Sequence, residues 1–154
     1  MARHCGDIPF NVQLTVNAWK GVVAVAAPAD QDVELLKYEI HLTGIAGDAE
    51  PIQKRFSRIT KGTGTATSAT IHPTNNTNAT AFRATAKTNF TVAATATTPA
   101  GYLSSGAIHP QGGVIEDVRF DDIVIGEDTE LLLELYVPAT GDAVYANGYI
   151  RIRE

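Results

Sequence analysis

Four histidines, one cysteine, a few serines and a run of acids are the residues of this chain that could do chemistry. A metal enzyme inside a β-barrel of the cupin kind needs a His-x-His pair, a Glu a few residues on and a further His, all converging. His4, His41, His72 and His109 contain no such pair. A site of three histidines drawn from different strands stays open, and it implies one bound metal per chain. Glu116, Asp117, Asp121, Asp122, Glu127, Asp128 and Glu130 are hard oxygen donors of the kind calcium takes, without the spacing of an EF-hand loop, so they read as a solvated acidic rim. Lys61-Gly62-Thr63-Gly64-Thr65 has the glycines of a phosphate-binding loop in the wrong order with no helix after it, and reads as a hairpin turn. Ser57, Ser68, Ser104 and Ser105 lack the strand–helix elbow that exposes a nucleophilic serine. Cys5 sits in an end segment, a poor place for a nucleophile. The expectation is a non-enzyme with no catalytic residue, cofactor or metal.

The elements that would hold these residues are strands. Gly and Pro recur about every ten residues, and period two dominates. From Val33 to Leu42 the apolar Leu36, Tyr38, Ile40 and Leu42 alternate with Lys37, Glu39 and His41, the pattern of a half-buried strand. A helix over Asp30–Tyr38, capped by Asp30, is the alternative there. Pro51–Thr60 sets Ile52, Lys54, Phe56 and Arg58 against Gln53, Arg55, Ser57 and Ile59, which suits an edge strand or one buried against a neighbour. Leu131, Leu133, Leu135 and Val137 oppose Leu132, Glu134 and Tyr136; Ala146, Gly148, Ile150 and Ile152 oppose Tyr145, Asn147, Tyr149, Arg151 and Arg153. Ala and Thr fill residues 63–100, where Phe82 and Phe90 are bulky anchors and strands with loops are expected. Ile71-His72-Pro73 and Ile108-His109-Pro110 each read as a strand stopped by proline. About eight strands make an all-β sandwich or barrel.

At 154 residues the chain is one domain. Val22–Pro28 is the longest apolar run, far short of the roughly 20 residues that cross a membrane as a helix. The start of the chain has no apolar core of a signal peptide, and one cysteine fits synthesis in a reducing cytosol. Net charge is −5, against nucleic acid as the partner. That charge is unevenly placed. Between Glu50 and Glu116 there is no acid, and Lys54, Arg55, Arg58, Lys61, Arg83 and Lys87 make the stretch +6; residues 1–50 are −4 and residues 116–154 are −7. The split can present opposite surfaces to copies of the chain or to a lattice of another protein. An Ala/Thr-rich middle that merely lacks acids is the alternative. On charge alone, Arg55 and Arg58 are candidates to meet Asp121 and Asp122 across a subunit boundary. Tyr102, Tyr145 and Tyr149 are candidate contacts, since aromatics are enriched at interfaces, or core residues.

One ordered set of segments is similar to a known family. Glu39-Ile40-His41-Leu42-Thr43-Gly44 is followed by Glu50-Pro51-Ile52-Gln53-Lys54-Arg55 and by Thr60-Lys61-Gly62-Thr63-Gly64-Thr65-Ala66-Thr67. Then come Ile108-His109-Pro110-Gln111-Gly112-Gly113 and the closing Asn147-Gly148-Tyr149-Ile150-Arg151-Ile152-Arg153-Glu154. From about Val33 onward the chain resembles small structural proteins of tailed-bacteriophage virions, some of which are capsid decoration (cement) proteins. It departs from them in having little Trp and much Thr and Ala in its middle. The resemblance implies an antiparallel jelly-roll β-sandwich, with residues 1–20 an N-terminal arm or first strand and residues 21–154 a single jelly-roll domain. It implies a homotrimer on the head surface, bound to the lattice of the major capsid protein, and brings no catalytic residues. The chain would then be made in the host cytoplasm and end on the virion. The alternative is a receptor- or glycan-binding jelly-roll head of a tail fibre, for which Trp19 is the one strong sugar-stacking residue and the loop near Asn75–Asn78 a candidate rim.

Overall fold

Alternation on this scale buries one face of each strand, so the chain must pair sheets. A computed structural model describes residues 4–44, 50–74, 82–96, 102–109, 112–118, 123–138 and 143–154. Among the described residues twelve strands appear: β1 (Cys5–Gln13), β2 (Trp19–Ala26), β3 (Val33–Thr43), β4 (Ile52–Ile59), β5 (Thr65–Ala69), β6 (His72–Pro73), β7 (Thr85–Val92), β8 (Tyr102–Ile108), β9 (Gly113–Asp117), β10 (Val124–Ile125), β11 (Glu130–Tyr136) and β12 (Tyr145–Arg153). No helix occurs among the described residues. Asp30 lies in a turn, and the chain is extended from Val33 onward.

The strands form two antiparallel sheets. One runs β10-β3-β12-β1-β6, with β9 also on β3; the other runs β5-β7-β2-β11-β4-β8. Between them Ile8, Phe10 and Val12 of β1, Ile40 of β3, Leu131, Leu133 and Leu135 of β11 and Ile150 and Ile152 of β12 make one core. Each such side chain contributes roughly 1.5–3 kcal/mol by leaving water. The architecture is therefore a β-sandwich. The stretch 1–20 contributes β1, which pairs along its whole length with β12.

Three details depart from the sequence expectations. Leu36 does not share the face of Tyr38, Ile40 and Leu42. Arg151 pairs with Lys37 and Ile152 with Leu35, so Leu36 is the extra residue of a β-bulge and the inward set switches from Val33 and Leu35 to Tyr38, Ile40 and Leu42. The turn at Lys61–Gly62 closes no hairpin, because β4 pairs β11 and β8 while β5 pairs β7. His72 and Pro73 do not close the strand begun at Thr65, which ends at Ala69; they form β6 against Asp7 and Gly6 at the sheet edge, where a missing proline N–H costs nothing. The Thr/Ala stretch supplies strands as its composition led one to expect, β5, β6 and β7, and β10 is a short pairing on β3.

The added strands build a second, smaller core. Beyond β7 the chain turns over the outer face of the second sheet, where the Thr60 N–H donates to the Thr95 carbonyl and Ile59 bridges to Ala96. Phe90 packs there with Ala24, Ile59 and Leu132. Glycine at position 21 makes this possible: a Cβ there would lie 2.8 Å from the Phe90 ring.

Candidate functional site

Strand β11 (ELLLELY) sends Leu131, Leu133 and Leu135 inward and Leu132, Glu134 and Tyr136 outward. Pairing carries that outward set across four strands. Tyr136 stands opposite Trp19 of β2 and Gln53 of β4, and Gln53 opposite Ala107 of β8. One step along, Glu134 stands opposite Gly21 and Arg55, and Arg55 opposite Ser105. Two lateral rows result: Trp19–Tyr136–Gln53–Ala107 and Gly21–Glu134–Arg55–Ser105. At the usual strand spacing each spans about 14 Å.

The side chains within the rows are fixed to one another. Arg55 Nε donates to Glu134 Oε2 at 2.6 Å, and Ser57 Oγ donates to the same oxygen at 3.3 Å. The Arg55 guanidinium lies 3.9 Å from the centroid of the Trp19 ring, a cation–π contact, and the Trp19 and Tyr136 rings are 5.6 Å apart. The small residues Gly21, Ser105 and Ala107 leave depressions on either side of this ridge. One is lined by Trp19, Lys20, Phe90 and Leu132, a second by Trp19, Gln53, Ser105 and Ala107, and a third by Asn17, Glu50, Gln53 and Tyr136. Shared Trp19 and Gln53 join them into one trough.

Beneath this face lies a buried polar cluster. Lys54 points between the sheets, its side chain 7% exposed, and Nζ donates to the Tyr38 hydroxyl at 2.7 Å. The hydroxyl donates in turn to Glu116 of β9, whose carboxylate is 3.8 Å from Nζ. Burial lowers the Lys54 pKa, with Glu116 opposing, and burial with the Glu116 contact raises the Tyr38 pKa. Gly106 of β8 borders this amine, and a Cβ there would sit 3.5 Å from Nζ, an ordinary contact.

The residues singled out in the sequence fall in several places. Arg55 is in the trough. Arg58 donates to the Val124 carbonyl at 3.1 Å. Tyr149 lies on the outer face of the other sheet, opposite Glu39 and Pro9, beneath Arg151. Asp121, Asp122 and the Tyr102 side chain lie outside the described residues, as do Asn75 to Asn78 and Gln111. Among the described residues no three of His, Cys, Asp and Glu converge as a metal site would require. His41 instead contacts Glu39, and that hydrogen bond lowers the Glu39 pKa.

The charge split is matched largely within one chain. Lys54, Arg55, Lys61 and Lys87 of the basic stretch meet Glu116, Glu134, Asp128 and Glu130 of the acidic tail, and Arg83 meets Asp30. Strand pairing explains two of these contacts: β4 lies against β11, and β3, which carries Tyr38, lies against β9. Gln53, Glu134 and Tyr136 were not singled out as site residues. The common face of Glu134 and Tyr136 with Leu132 was legible, but their neighbours on β2 and β4, Gln53 among them, depend on register.

Comparison with family models, with curated proteins and with solved structures gives no match for this chain.

Proposed function

We propose that this chain is a jelly-roll structural protein of a bacteriophage virion, a non-enzymatic capsid decoration protein that sits on the head as a trimer and stabilises it. The observation that carries the reading is the order of pairing. With the inserted strands set aside, β1 pairs β12, β2 pairs β11, β3 pairs β9 and β4 pairs β8, the first strand with the last and so inward, all antiparallel. A chain doubled back and wrapped into two sheets gives this nesting, as a jelly roll does. It agrees with the virion family that the Ile108–Gly113 and Asn147–Glu154 segments resemble.

The outer face of the β1-β12-β3-β9 sheet suits contact with neighbours. Two of its ion pairs, Arg151 with Asp7 and Arg153 with Glu34, are closed within the chain, so covering these four groups strands no lone ion. Above them runs the row Ile115–Glu39–Tyr149–Pro9, in which Ile115 is 60% exposed, and Tyr145 nearby is 40% exposed. Contacts that bridge capsid subunits stabilise the assembled head by mass action.

Mass spectrometry of purified virions from the encoding genome tests this. The chain is expected among the virion proteins, and heads lacking it are expected to break at lower temperature. Virions without the chain overturn the assignment. Heads whose heat resistance is unchanged by its loss overturn the cement role.

A further inference from the structure

We infer that the trough on the outer face of β2, β11, β4 and β8 is a binding site for a neutral oligosaccharide. The inference does not depend on the virion assignment, because it rests on the two side-chain rows alone.

A pyranose ring has an apolar C–H face and a rim of hydroxyls that each donate and accept. A site for it needs a flat aromatic surface beside planar polar groups held in place. Trp19 and Tyr136 supply the aromatic part at one end of the first row, with rings 5.6 Å apart. Gln53, exposed and next in the row, offers a carbonyl acceptor and an amide donor that match two neighbouring hydroxyls. Arg55 and Glu134, locked together at 2.6 Å and against the Trp19 ring, set a cation and a carboxylate side by side in the second row. Preorganisation of this kind lowers the entropy lost on binding. Ala107 and Ser105 at the β8 end keep the trough open, and a length of about 14 Å suits a short oligomer rather than one sugar.

Other occupants fit less well. An anion would find Arg55 already neutralised by Glu134, and the depressions carry the acid Glu50 as well as the base Lys20. An apolar peptide would seek large exposed hydrophobics, and among the described residues these are Val92, Ile115 and Tyr145, none of which lines the trough.

Trp19 is the single tryptophan of the chain, so its fluorescence reports on this site alone. The full chain is titrated with maltohexaose, cellohexaose, mannohexaose and chitohexaose, with a sulfated heparin hexasaccharide as the charged comparison. The expected result is a saturable shift of Trp19 emission with at least one neutral oligomer. Gln53→Ala is expected to weaken that binding at least about tenfold, with the melting temperature unchanged because the side chain is exposed. Tyr136→Phe, which keeps the ring, is expected to bind within about threefold of wild type. No saturable shift with any neutral oligomer overturns the proposal. So does a response to the sulfated sugar alone, or binding that Gln53→Ala leaves intact.

Discussion

Gly148 shows how one residue sets the closing strand. It pairs with Phe10 on one side and Ile40 on the other, with φ at +153°, and a Cβ there would run into the Glu39 carbonyl oxygen. Gly148→Ala is expected to cost about 2–3 kcal/mol in backbone strain, read as a lower urea midpoint at unchanged slope. The glycine was legible in the sequence as one member of an inward-facing set, but its role was not, because the obstructing oxygen belongs to a strand more than a hundred positions away. Lys54 makes a second case. Burial lowers its pKa, so between that value and the ordinary lysine value of about 10.4 the unfolded chain binds more protons than the folded one. Stability from this group therefore rises with pH through that window. Tyr38 has the opposite sign: its pKa is raised, so its contribution is present below about pH 10 and is lost above it. Lys54→Met is expected to flatten the rise of melting temperature toward pH 10 and to leave the Tyr38-dependent loss above it. A slope identical to wild type would sink the assignment.

At the scale of elements, β11 is the organising strand. Its alternation predicts which residues face in, and the structure uses both faces, Leu133 and Leu135 in the main core and Leu132 beneath Phe90 in the smaller one. A two-sided strand of this kind reads as interior, and β11 indeed lies between β2 and β4. The Thr/Ala stretch was legible only as strand-prone. Its anchor, Phe90, finds its place because β7 pairs with β2 beside a glycine. Phe90→Ala is expected to cost about 3 kcal/mol and to act locally. Hydrogen exchange should quicken at the Thr60 amide, which donates to the Thr95 carbonyl, while β12 amides keep their protection. Equal loss of protection in β12 would show that the smaller core is not a separate unit. Leu36 marks the limit of pattern reading, since a bulge is set by what the partner strand can match and not by the strand that carries it.

For the whole molecule, the charge split bears on assembly. Arg55 is committed within the chain to Glu134 and Trp19. Arg55→Glu is therefore expected to destabilise the chain itself, by about 2 kcal/mol or roughly 6 °C, whatever its oligomeric state. Calorimetry across a dilution series checks this: a shift that vanishes on dilution would move Arg55 to a subunit boundary. Light scattering on a sizing column is expected to give about three times the 16.4 kDa chain mass, and a monomer at every concentration would remove the trimer from the proposed function. The sequence by itself determined the all-β class, the inward faces of β11 and β12 and the uneven placement of charge, because period-two alternation and composition are local properties of the chain. Only the tertiary structure decided that basic and acidic segments meet inside one sandwich, that β5, β6 and β7 are additions to the nested pairs, and that Trp19, Tyr136, Gln53 and Arg55 share a face. Those outcomes depend on which strands pair and in what register, and register is fixed by the joint burial of residues far apart in the chain.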